Sequence, residues 1–125
     1  MRRIHRRKLL KLSGASTLAA GGGLAGFLLP KLFLRLGFGD ESPTDSAVFF
    51  VRHWGVLIIA IAALIVYCAY VPSIRVPVLE AAVVEKFAIG LLVFFGPLKR
   101  TAGMTAIALV DGFFAFVYVA YLAGV

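Results

Sequence analysis

The sequence is poor in the residues that most protein chemistry needs. Cys68 is its one cysteine. A single chain therefore has no internal disulfide and no cysteine-built zinc or iron–sulfur cage. Near the end of an apolar helix a lone thiol acts as a small hydrophobe. Histidine is confined to His5 and His53, too few for haem or di-iron ligation. There is no H-E-x-x-H, no glycine-rich phosphate loop and no serine–histidine set. No catalytic residue, metal or cofactor is expected, and an enzyme acting alone is not. Charge is scarce as well, at 15% of 125 residues, and strand-like alternation, internal repeats and low-complexity tracts are missing.

Apolar residues fill the space. They make up 62% of the chain, and the mean hydropathy is +0.99. A soluble domain of this length exposes much of its chain to water and needs far more polar surface. Apolar runs of about 20 residues are the mark of transmembrane helices. The runs at 9–29, 47–71, 77–95 and 102–122 predict an all-α integral membrane four-helix bundle. It follows a basic tail at 1–11, and residues 12–125 form one domain. The connections between the last three spans are short, so those spans are antiparallel neighbours.

The formal net charge of +7 resembles a nucleic-acid signal until it is located. Arg2, Arg3, Arg6, Arg7, Lys8 and Lys11 supply six of the 13 basic residues. A basic tail before an apolar span is a cytoplasmic topology signal and an anchor for anionic lipid, so no nucleic-acid partner is expected. Counting basic residues on each side places both termini in the cytoplasm of a bacterial inner-membrane, multi-pass protein. The stretch HRRKLLKLSGAS also resembles a twin-arginine signal, with His5 where serine or threonine usually stands. STLAAGGGLAG offers only poor small-residue cleavage sites, which favours a retained first span over a cleaved signal. Both readings stay open here.

Local signals fill in the rest. Ala15, Ala19, Gly22, Gly23 and Gly26 place small residues four apart, a flat strip where another helix backbone can approach, in a larger complex or a second copy. Flexible glycine filler is the plain alternative. Pro30 closes the first run. Residues 31–46 then read as an interfacial stretch and a polar loop, with Gly37, Gly39 and Pro43 breaking any helix. Pro77 suits the first position of the third span, and Thr101 suits the N-cap of the fourth. Tyr67, Tyr70, Tyr118 and Tyr121 mark headgroup levels.

Charges inside the spans are the best functional clue. At about 1.5 Å per residue, Lys86 lies roughly 13 Å along the third span and Asp111 roughly 15 Å along the fourth, running the other way. In a layer about 30 Å thick, both come close to the midplane. An unpaired charge there costs at least about 2.5–3.5 kcal/mol. Lys86 is expected to pair with Asp111. Glu85 points about 100° away from Lys86 around their helix and is expected to pair with Arg52 from the second span. His53 adds a group able to titrate near neutral pH. Arg52, His53, Glu85, Lys86 and Asp111 are thus either a polar clamp fixing the bundle or a binding site for a polar or anionic group, such as a quinone or lipid headgroup.

FLLPKLFLRLGF, a polar spacer, VRHWGVLIIAIAALIVYCAY, a span with Glu85-Lys86 and a last span with Asp111 resemble small bacterial four-span proteins of the DoxX-like and DUF4345-like families. The resemblance covers roughly residues 24–125. The basic, glycine-rich start departs from the usual pattern. The families imply a tetraspan membrane fold, and some DoxX-like members accompany membrane oxidoreductases as accessory parts. Together these features lead to a non-catalytic accessory or scaffold subunit of a membrane complex, or to a membrane-embedded binding or transport module.

Overall fold

The computed structural model describes residues 20–124. They contain five α-helices, one short 3-10 turn and no strand, so the described residues are all-α. The helical stretch 20–28 is α1. It is followed by α2 (Pro30–Phe38), α3 (Asp45–Tyr70), a 3-10 turn (Pro72–Ile74), α4 (Arg75–Phe95) and α5 (Ala102–Leu122). The basic tail, the twin-arginine stretch, Ala15 and Ala19 lie outside the described residues.

Caps set the long helices. Thr44 opens α3, its hydroxyl accepting from the Ala47 N–H at 3.1 Å. Thr101 opens α5 as expected, accepting from the Met104 N–H at 3.1 Å. Each satisfies a first-turn amide that has no partner within the helix. α4 begins at Arg75, so Pro77 takes the third helical position rather than the first. The amide there has no intrahelical acceptor, and proline forfeits no bond.

The region after the first run differs from expectation. Helix α1 ends at 28, just before Pro30, but Pro30 also starts α2, so residues 31–38 are helical rather than loop. The fixed proline φ suits a first helical position. The hydrogen bonds Leu29 N–H to Ala25 O (2.8 Å) and Phe33 N–H to Leu29 O (2.9 Å) carry the chain across the junction. Gly37 lies inside α2, and Gly39 ends it at φ 71°. The Gly39 N–H donates to Arg35 O at 3.1 Å and the Asp40 N–H to Leu34 O at 3.2 Å, closing the last turn with the left-handed residue that glycine accepts freely. Only residues 39–44 remain as loop before α3.

The most extensive contact joins α4 and α5, with α3 against α4 and α2 bridging α3 and α5. Two apolar clusters hold α4 to α5. Val93, Met104 and Ala108 lie near their connecting turn, with Phe38 of α2 packed on. Ile65, Cys68, Leu79, Ala82 and Tyr118 lie at the other end. Tyr118 is 1% exposed, so it is core and not the headgroup marker its position suggested, whereas Tyr67 and Tyr70 are exposed. Cys68 is core as well, its thiol donating to Ile65 O at 3.1 Å. Arg75 reaches back to the end of α3, Nε donating to Cys68 O and Nη2 to Ala69 O, each at 2.8 Å. A planar guanidinium suits two carbonyls at a helix C-terminus, where the dipole also favours a cation.

Glycines allow two backbone crossings. A Cβ on Gly23 would lie 2.8 Å from Gly55 O, so α1 and α3 touch at a glycine pair. Gly26 faces the Trp54 ring. Gly23 and Gly26 are thus used within the chain, while Gly22 faces open space. At Gly103 an added Cβ would lie 2.8 Å from the Gly37 Cα, and the Thr101 hydroxyl donates to Gly37 O at 2.8 Å, tying α2 to the start of α5.

α3 (26 residues) and α5 (21 residues) are each long and apolar enough to cross a membrane. α4 matches α5 in length, but every 18-residue window of it carries Glu80, Glu85 and Lys86. Its composition alone does not define a span.

Candidate functional site

Lys86 on α4 is the one charged residue that is buried among the described residues, at 4% exposure. Its neighbours explain how it is tolerated. The ammonium Nζ donates to Asp111 Oδ1 at 3.3 Å and stands 3.9 Å from Glu85 Oε2. It also lies 5.8 Å from the centre of the Phe114 ring. Lys86 precedes the end of α4 at Phe95 by as many residues as Asp111 follows the start of α5 at Ala102. Antiparallel helices of equal rise bring such positions level. Sequence spacing therefore anticipated this pair correctly.

The expected Glu85–Arg52 pair does not form. Arg52 is exposed on α3, two turns from its start, and makes no ion pair among the described residues. Glu85 leans instead toward its sequence neighbour Lys86. A difference of about 100° between Cβ directions does not separate long side chains whose tips converge. Glu85 Oε2 is buried and has no hydrogen-bond partner among the described residues. The two expected pairs, Lys86 with Asp111 and Glu85 with Arg52, would together be neutral. The cluster that forms has two carboxylates and one ammonium.

The five candidates therefore divide. Glu85, Lys86 and Asp111 form one group at the α4–α5 seam. Arg52 and His53 line a separate open groove of about 500 Å³ with Phe27, Asp45, Val48, Phe49 and Val56.

Beside the first group lies a cleft of about 340 Å³, with Lys86 and Asp111 in its wall. Phe33, Trp54 and Phe114 supply aromatic walls, and Ile58, Ile107 and Val110 add aliphatic ones. Phe33 and Trp54 pack with ring centres 5.1 Å apart, so α2 and α3 together form the side facing the ion pair. A mostly apolar hollow with a few convergent polar groups is the usual form of a small-molecule site. Lys86 offers donors and Asp111 offers acceptors at one point of that wall. Phe33 and Trp54 were not among the predicted site residues. Their aromatic character was visible, but the helix that begins at Pro30 and carries Phe33 to this cleft was not.

No group of three or more potential metal ligands occurs among the described residues. Comparison with family models, with curated proteins and with solved structures finds no match to this chain.

Proposed function

We propose that this chain is a small multi-pass inner-membrane protein whose Lys86–Asp111 cleft binds an apolar molecule with a polar, hydrogen-bonding head. Support for the membrane setting comes from composition and exposure together. Only 22% and 17% of the most apolar stretches of α3 and α5 are buried inside the chain. Large residues such as Phe87, Leu92, Phe95, Phe113 and Phe116 stand exposed at 61%, 63%, 85%, 63% and 73%. A soluble helix of that hydropathy would hide most of its surface, whereas lipid accepts it. On this reading α1 and α2, α3, α4 and α5 form the four-helix bundle, α4 entering because Glu85 and Lys86 gather with Asp111 at the α5 seam, and both termini are cytoplasmic.

The observation that carries the binding function is the cleft reaching a buried, level ion pair. A clamp alone needs no hollow beside it. Two carboxylates around one ammonium favour a neutral head, such as a quinone carbonyl, over an anionic one. The test is purification in mild detergent with identification of co-purifying small molecules, for the native chain and for the doubly neutralised K86M/D111L. The native chain is expected to retain an apolar ligand that the monodisperse double variant has lost. An empty native chain, or equal retention by both, would overturn the proposal.

A second reading is an accessory or scaffold subunit, the role that the DoxX-like resemblance implies. Lys86 beside carboxylates of both α4 and α5, the most tightly packed pair, favours it. A scaffold would co-purify with a larger complex through its lipid-facing helices and would tolerate K86M/D111L without losing that partner.

A further inference from the structure

The groove around Arg52 and His53 is not part of the Lys86 cleft, and its chemistry is ordered along α3. Asp45, Phe49, Arg52 and Val56 follow one another at intervals of four, three and four residues, a single stripe of the helix flanked by Val48, with Phe27 of α1 opposite. Arg52 and His53 are exposed and make no hydrogen bond or ion pair among the described residues.

Depth gives the order meaning. The 26 residues of α3 extend about 39 Å, about 9 Å more than the hydrocarbon layer. Shared between the two ends, the excess puts Asp45 about 4 Å outside the hydrocarbon and the Arg52 backbone about 6 Å within it. An arginine stem of that depth snorkels, bringing the guanidinium to the boundary. From the bilayer outward the groove therefore presents apolar Val56, the Arg52 cation with the His53 imidazole beside it, and then the anion Asp45. A zwitterionic phospholipid presents the complementary order: acyl chain, phosphate, then amine.

We infer that this groove holds a phospholipid bearing a primary amine, its phosphate on Arg52 and His53, its ammonium on Asp45 and an acyl chain along Phe27, Phe49 and Val56. A guanidinium takes phosphate oxygens as a planar fork. A carboxylate accepts hydrogen bonds from a primary ammonium and finds no N–H on a choline head. The inference rests on the membrane reading alone and not on the Lys86 cleft.

The test uses the full chain in nanodiscs containing equal parts of phosphatidylethanolamine, phosphatidylcholine and phosphatidylglycerol with matched acyl chains. Lipid that stays bound after detergent exchange is counted by native mass spectrometry. Phosphatidylethanolamine is expected to be enriched at least about threefold over phosphatidylcholine, a free-energy difference of at least about 0.7 kcal/mol by the tenfold-per-1.4 rule. D45N should bring the two lipids to parity with total retention little changed, and R52Q should lower retention of all three. Both side chains are exposed, so neither variant disturbs the core. Equal retention of the two zwitterionic lipids, preference for phosphatidylglycerol, or enrichment that survives D45N would each overturn the inference. All three outcomes leave the membrane reading standing, whereas a chain monodisperse without detergent removes both.

Discussion

Replacing Lys86 by methionine is the most revealing single change, because the two carboxylates around it carry unequal weight. The substitution keeps the length and the apolar stem but leaves Glu85 Oε2 and Asp111 Oδ1 with no cation, where they were 3.9 and 3.3 Å from one. Stranding buried charge in this way costs about 3–5 kcal/mol. D111N retains the shape and a polar acceptor but removes a charge-assisted bond, a loss of about 1.5–3 kcal/mol, and Glu85 still balances the ammonium. E85Q removes a carboxylate whose Oε2 has no hydrogen-bond partner and whose ion contact is long, so its effect is about 0–1 kcal/mol. The assay is reversible unfolding in mixed micelles of rising SDS fraction. Trp54, the only tryptophan, reports from the cleft wall. The midpoint should fall most for K86M, less for D111N and least for E85Q. A loss for E85Q as large as that for D111N, or a neutral K86M, would refute the assignment of Asp111 as the main partner.

Other expectations follow from the contacts. R75A removes two 2.8 Å bonds to the last carbonyls of α3 and should destabilise by about 1.5–3 kcal/mol in the same assay, with R75K recovering only part because it has no fork. G55L should separate α1 from α3, since even a Cβ there meets Gly23 and Phe27, and should shift Trp54 emission as α1 moves off its ring. T101V removes both the α5 cap and the bond to Gly37 O, for a loss of about 1–2 kcal/mol by unfolding midpoint. Cys68, at 1% exposure, should react with maleimide only after unfolding, and fast labelling of the native chain would contradict its core position.

Much of the helix plan was legible because it rests on local signals. Thr101 identified the start of α5, and the residue numbers on either side of the 96–101 turn brought Lys86 level with Asp111. What failed depends on rotation and packing order. Helices apolar on every side show no preferred face, so nothing in the pattern said that Arg52 would point away from Glu85 or that Tyr118 would turn into the core. Pro30 was ambiguous in a different way, since proline both ends helices and begins them. Here it stands at both boundaries, α1 ending at 28 and α2 beginning at Pro30, with hydrogen bonds across Leu29 joining them. Arg75 counted only as a topology charge, and its grip on the end of α3 needed the tight 3-10 turn that folds it back.

The central claim is that a buried ammonium on α4 and a carboxylate on α5 neutralise each other across the helix seam. Charge exchange tests it most directly, by measuring the yield and SDS midpoint of K86D, D111K and K86D/D111K purified from membranes. Each single reversal is expected to fail and the double variant to regain most of both quantities, since the opposite charges again face each other. A double variant no better than the worse single reversal would contradict it.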